Sequence, residues 1–232
     1  MENKVVVITG AGSGLGASLA KQFANSGNHI CLLGRRKEKL ERTANQLNSR
    51  YSIYEVDVSS KEDVGRVFRK IEEELSAIDV LVNNAGVGAF DLAEHIEEES
   101  IHQMIDINLK GTIFCTQEVL AGMKQRNKGT IVNIVSTAGQ EGKVTESVYC
   151  ASKFGVRGFT ESLVRELNDT PIRVLAAYMG GMESEFWDGI FTPEQTKGLM
   201  KTDDVAEIII DSIKPRKYLA VTDITIKNKK QF

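Results

Sequence analysis

Short apolar runs of strand length alternate with amphipathic stretches of helical period along the whole chain. The runs KVVVITG (4–10), HICLLG (29–34), YSIYEVDV (51–58), IDVLVNNAG (78–86), GTIVNIVS (129–136), IRVLAAYM (172–179) and KYLAVTDITI (217–226) predict strands. Helical spacing predicts helices over 14–27, 37–49, 60–76, about 97–108, 110–126, from near Ser147 to near Asn168, and about 202–213. Such repeated strand–helix units build an α/β fold, a mainly parallel seven-stranded sheet with helices on both faces. No linker, repeat or low-complexity segment divides residues 1–232, so one domain is expected. Residues 181–201 break the alternation with glycines, Pro193 and the exposed-looking Trp187 and Phe191. They predict a mobile segment with short helices that covers something.

Composition narrows the field. The chain has 232 residues, 41% hydrophobic and 26% charged, with a net charge of −3. That balance suits a soluble globular protein and gives no reason to expect nucleic acid as a partner. No apolar run is long enough to span a bilayer, and the start MENKVVVITG reads as a buried first strand rather than a signal peptide. Cys31, Cys115 and Cys150 are odd in number and widely spaced, and His29, His95 and His102 are scattered. Neither a disulfide framework nor a metal site is expected, and a cytoplasmic location follows. The basic end KNKKQF (227–232) reads as a solvated tail.

TGAGSGLG (9–16) sits where the first strand gives way to the first helix. Phosphate binding at a helix N-terminus needs bare backbone N–H groups, and Gly10, Gly14 and Gly16 supply them at the spacing G-x-x-x-G-x-G. A glycine-rich turn can be only a turn; its place at the first strand–helix junction points to a Rossmann-like, doubly wound dinucleotide fold. No lysine follows the glycines as in a Walker loop, and no G-x-S-x-G elbow occurs. At the end of the second strand an acidic residue would hold a ribose 2′-hydroxyl. Here Gly34 stands in that place, followed by Arg35 and Arg36. Guanidinium groups match a 2′-phosphate, so NADP(H) is favoured over NAD(H). Asp57 can accept from the adenine amino group or simply cap the next helix.

YCASK (149–153) places a phenol and an ammonium one helical turn apart. A cation beside Tyr149 favours the phenolate and fits it for proton exchange with a carbonyl or alcohol oxygen. Ser136 ends a strand on the side where open sheets bind ligands, and its hydroxyl can reach the same oxygen. Asn108 interrupts an apolar helical pattern, either as a kink or as a group that holds water against Lys153.

With TGAGSGLG at 9–16, DVS at 57–59, NNAG at 83–86, Asn108, Ser136 and YCASK in this order and spacing, the chain resembles the short-chain dehydrogenase/reductase family over nearly its whole length. The resemblance implies an NADP(H)-dependent carbonyl reductase or alcohol dehydrogenase with Asn108, Ser136, Tyr149 and Lys153 as its catalytic tetrad. It places the cofactor on Gly10, Gly12, Ser13, Gly14, Leu15, Gly16, Arg35, Arg36, Asp57, Val58, Asn83, Ala85, Gly86, Tyr149, Lys153, Gly180, Met182 and Ser184. It also implies a homodimer or homotetramer, with no membrane partner. The sequence departs from the family where Met179 replaces the usual proline and Ser184 stands for a threonine. The short C-terminal form and the GGMESEFWDG segment (180–189) look similar to bacterial reductases of the sepiapterin and benzil type. A small, neutral, fairly apolar ketone or dicarbonyl is the expected substrate; a 3-oxoacyl thioester is the rival within enzymes. A non-catalytic NADP(H)-binding regulator is the rival outside them.

Overall fold

The structure, a computed structural model, describes residues 2–229, so the last three residues of the basic end lie outside it. The strands are β1 (Val5–Thr9), β2 (His29–Gly34), β3 (Tyr51–Glu55), β4 (Val80–Asn83), β5 (Thr130–Ile134), β6 (Arg173–Met179) and β9 (Asp223–Ile226). They form one seven-stranded sheet in the order β3-β2-β1-β4-β5-β6-β9, and every pairing is parallel. Helices cover both faces, which explains why the central strands read as unbroken apolar runs: Val6, Val7 and Ile8 are all fully buried.

Alternate residues of each strand feed two separate cores. Ile8, Leu32 and Val82 pack under α1 (Gly14–Ala24), α2 (Lys37–Ala44) and α8 (Thr202–Ser212), with Leu19, Phe23, Leu40 and Ile209. Val7, Cys31 and Leu81 pack under α3 (Lys61–Leu75), α5 (Gly111–Gln125) and α6 (Ser147–Glu166), with Phe68, Ile71, Val119 and Leu163. Each fully buried Leu or Phe contributes about 1.5–3 kcal/mol. Local signals agree with these packing demands. At α3 the Ser60 hydroxyl accepts from Asp63 N–H, and Glu62 and Asp63 put negative charge against the positive helix end.

Several boundaries differ from the sequence expectation. The helix predicted over 37–49 stops at Ala44, and the strand predicted over 51–58 ends at Glu55. The last strand is confined to Asp223–Ile226, with Tyr218 and Leu219 exposed before it. The two helices predicted over 97–126 run on as one rod: α4 (Glu98–Gln103), a π-helical turn over Met104–Lys110, then α5. The wide turn carries Asn108, so the interruption in the apolar pattern marks a change of helical pitch rather than an end.

The 181–201 segment is rooted by a two-stranded parallel clasp. β7 (Met182–Glu183) pairs with β8 (Met200–Lys201), Met182 opposite Met200. Between them α7 (Pro193–Thr196) is fixed by a capping box from Thr192 and Gln195. Trp187 is half-buried, not exposed as its surroundings suggested, because its Nε1–H donates to Met182 O at 2.9 Å.

Candidate active site

The strand order reverses between β1 and β4, and a cleft of about 490 Å³ opens beyond their C-terminal ends. The glycine turn forms one wall. Gly10 has φ +65°, a conformation other residues resist, and a Cβ on it would lie 2.9 Å from Ala85 Cα. Asn84 Nδ2–H donates to Thr9 O and Gly10 O, and the Thr9 hydroxyl accepts from Asn84 and Ala85 N–H. The turn and the end of β4 are therefore one rigid piece, with room for a phosphate and none for side chains. Gly12, Ser13, Gly14 and Leu15 line the cleft beside Gly10.

Arg35, Arg36 and Lys39 line the end of the cleft beyond β2, with Asp57 and Val58 beyond β3. Lys39 forms an ion pair with Glu185, which ties the 181–201 segment to α2 across the cleft. Asp57 Oδ1 is already engaged by Ser59, accepting from its N–H at 2.9 Å and its hydroxyl at 2.6 Å. It caps its own turn while facing the cleft.

At the other end Ser136, Tyr149 and Lys153 meet. Ser136 follows β5 with φ +136°, a strained conformation for a residue with a side chain. Its Oγ accepts from Ala138 N–H at 3.1 Å, and it faces the cleft together with Tyr149, whose phenol it shifts toward the ionised form. Tyr149 and Lys153 are buried on one face of α6, with Lys153 Nζ 5.7 Å from the phenol ring centre. Lys153 Nζ donates to Ile134 O at 3.1 Å. Phe90 packs edge-on to Tyr149 at 5.4 Å between ring centres, and Phe186 lies 6.0 Å from it, backed by Trp187. Val87, Gly88 and Ile190 extend this apolar wall.

The electrostatics differ from the sequence expectation. Burial holds the Tyr149 phenol above its ordinary value; the Ser136 hydrogen bond pulls it down, and Glu146 and Cys150 push it further up. Lys153 is itself pushed down to about 8 by burial. Desolvation of both groups therefore outweighs the attraction expected from their spacing. The protein alone keeps Tyr149 protonated, the form that donates.

Lys153 gives a test by linkage. Its folded value of about 8 lies below the ordinary 10.5, so between these pH values the unfolded chain holds a proton that the folded chain releases. Wild-type stability from this group is lowest below pH 8 and recovers as pH rises. The stability difference between wild type and Lys153→Met, from urea unfolding, should move in favour of wild type by on the order of 3 kcal/mol between pH 7 and pH 10.5. A difference independent of pH would refute the buried-cation assignment.

Ala85, Gly86, Gly180, Met182 and Ser184 also line the cleft. Three predicted residues do not. Asn83 lies beneath it, fully buried, donating to Thr116 Oγ1 and Asn133 Oδ1 to tie β4 to α5 and β5. Expected to line the cofactor, it instead has its side chain turned into the core, and the asparagine that lines the cleft is Asn84. Gly16, also expected at the cofactor, stands back from the cleft. It is absent from the wall because it packs against Gly10, where a Cβ would come within 2.3 Å of the carbonyl oxygen. Asn108 lies just behind the wall; a Cβ on Gly86 would sit 3.3 Å from its Oδ1 and 3.6 Å from Lys153 Nζ. Its side chain is committed to Val87 N–H, Val87 O and Ser152 Oγ. It pins the Gly86–Val87 strip beside Lys153.

Sequence reasoning missed Lys39 as a wall residue, and Phe90 and Phe186 as neighbours of Tyr149. The asparagine pair in NNAG signalled Asn84, but only the strand register says which asparagine faces out. Among the described residues no group of three or more His, Cys, Asp or Glu could hold a metal ion, and no helix is long and apolar enough to cross a membrane.

Comparisons with known proteins agree with this geometry. Residues 4–195 match the family model for short chain dehydrogenases. An uncharacterized oxidoreductase of Staphylococcus saprophyticus subsp. saprophyticus is 32% identical over 98% of both chains. An alcohol dehydrogenase from the archaeon Thermococcus sibiricus, solved with 5-hydroxy-NADP, is 28% identical with a TM-score of 0.91, covering 100% of this chain and 99% of that one. The closed form of a serine dehydrogenase with NADP+ is 31% identical with a TM-score of 0.89, covering 96% and 93%. A rigid glycine turn at the strand-order reversal, a phenol, hydroxyl and ammonium gathered at the far end of the same cleft, and a family match across most of the sequence converge: the chain is an oxidoreductase and belongs to the short-chain dehydrogenase family.

Proposed function

We propose that this oxidoreductase is an NADP(H)-dependent carbonyl reductase or alcohol dehydrogenase acting between a ketone and a secondary alcohol. The observation that carries the reading is the shared cleft. Its glycine-lined end offers backbone N–H groups with Arg35 and Arg36 beyond them, and its other end holds Tyr149, Ser136 and Lys153 against an apolar wall. When bound, the nicotinamide supplies or accepts the hydride. The remaining steps belong to this chain. The Tyr149 phenol gives its proton to the carbonyl oxygen in reduction and takes it back in oxidation. The Ser136 hydroxyl donates a hydrogen bond to the same oxygen, so developing negative charge meets two preset donors. Lys153 supplies positive charge beneath Tyr149, and Asn108 holds the strip that keeps it there. Phe186, Trp187 and Ile190 exclude water.

The test is NADPH oxidation, followed by its absorbance, against a panel of ketones and diketones. Turnover supports the reading. Binding of NADPH without turnover on any substrate would favour a regulator. The arginines make a second test: Arg35→Ala should weaken NADPH binding about 10–100-fold, the loss of one or two charged hydrogen bonds, and leave NADH binding nearly unchanged. Equal effects on both would assign Arg35 no part in choosing the cofactor. Two acids of the cleft that have no ion pair among the described residues, Glu146 and Asp188, disfavour a 3-oxoacyl thioester on a phosphorylated arm.

The same proposal includes a cytoplasmic homodimer or homotetramer. Gly155 is explained within the fold, since a Cβ there would lie 2.8 Å from Leu109 Cδ2. Gly158 has open space around it, and Phe154 on the same helix is 41% exposed, which suits contact with a second copy.

A further inference from the structure

The mechanism leaves Glu146, an acidic side chain of the cleft, without a task. Glu146 occupies the N-cap position of α6, without a side-chain cap bond, and lines the cavity beside Tyr149. It is half-buried, and burial pushes its carboxyl above the ordinary range. No hydrogen bond or ion pair to this carboxylate occurs among the described residues. Lys143 is its charged neighbour, yet the Lys143 ammonium donates to Thr137 Oγ1 at 2.9 Å and stays beyond ion-pair distance. A carboxylate partly out of water and left unpaired is unfavourable, and a cation brought to it removes that penalty.

The surroundings point the same way. Asp188 lines the same mouth, exposed and without an ion-pair partner among the described residues, whereas Glu185 is neutralised by Lys39. Besides Lys143, the cations of the cleft are Lys39, engaged by Glu185, Lys153, whose ammonium donates to Ile134 O, and Arg35 and Arg36 at the far end. The opposite wall is aromatic, from Phe186 and Trp187, and aromatic faces also attract cations. Glu146 stands at the N-cap three residues before Tyr149, lines the same cavity, and its charge acts on the Tyr149 phenol. A carbonyl oxygen held by Tyr149 therefore brings the neighbouring carbons of its substrate within reach of Glu146.

We propose that Glu146 selects substrates bearing a positive charge beside the reacting carbon: amino ketones and the corresponding amino alcohols, with an apolar or aromatic body. This rests on the carbonyl-reductase reading and replaces its neutral substrate with a cationic one.

The probe is a matched pair of ketones, (2-oxo-2-phenylethyl)trimethylammonium and its carbon isostere 3,3-dimethyl-1-phenylbutan-1-one, each assayed by NADPH oxidation. The readout is the ratio of their kcat/KM values in wild type, Glu146→Gln and Glu146→Asp. Intrinsic electrophilicity and any general loss of activity cancel when the ratios are compared. The ratio should favour the cation in wild type, fall ten-fold or more in Glu146→Gln, and be largely retained in Glu146→Asp, which keeps the charge. An equal ratio in wild type and Glu146→Gln overturns the inference, as does turnover of other ketones with no preference for the ammonium compound. Failure of the whole ketone panel while NADPH binds overturns the proposed activity itself, and this inference with it.

Discussion

Tyr149→Phe should lower turnover by roughly 10³-fold or more while NADPH binding changes little, because the substitution removes the proton donor and nothing else of size. The ring stays between Phe90 and Phe186, whose contacts are made by its carbon frame. The change is confined to one hydroxyl, which faces the cleft beside Ser136. Losing this one hydroxyl should cost only about 1 kcal/mol of stability, the scale of a single hydrogen bond. Single-turnover reduction of an active ketone, beside a fluorescence titration with NADPH, separates chemistry from binding. Near-normal turnover would remove Tyr149 from the proton-transfer step. A parallel loss of NADPH affinity would instead give the phenol a binding role.

Gly16→Ala carries the second large expectation, and its target is the scaffold. Helix propensity alone would favour alanine by about 1 kcal/mol at this position in the first turn of α1. Packing decides otherwise. The added methyl would lie 2.3 Å from Gly10 O and 2.6 Å from Asn84 Nδ2. Gly10 cannot retreat, because its carbonyl is held by Asn84 and its φ is positive. Overpacking of this kind costs about 1–3 kcal/mol, which lowers Tm by roughly 2–4 °C for each kcal/mol. NADPH binding should fall sharply as the turn is displaced. Thermal unfolding and the same titration check both parts; an unchanged Tm with full affinity would mean that the turn yields.

These two positions show where the sequence speaks plainly and where it does not. Tyr149, Lys153 and Ser136 are legible because proton chemistry needs particular side chains at helical spacing or at a strand end. The seven strands are legible because a sheet covered on both faces demands continuous apolar runs. Gly16 is legible as a glycine but not in its purpose, since phosphate contact and close backbone packing demand the same residue. Asn83 and Asn84 are chemically identical; only the β4 register turns one into the core and the other outward. Glu146 reads as one charge among several until the fold brings its carboxylate to the cleft without a partner. The pairing of Lys39 with Glu185 joins residues 146 positions apart, beyond any local pattern.

The clasp between β7 and β8 has a consequence for how such a protein changes over time. Residues 184–199 leave and return at adjacent points, so one short strand pairing closes the excursion at its root. Lengthening a loop whose ends are already joined adds little closure entropy. Its interior can therefore be rewritten, or transplanted from a homologue, while the dinucleotide-binding framework keeps its shape. Novel substrate preferences can arise there by swapping one short cassette.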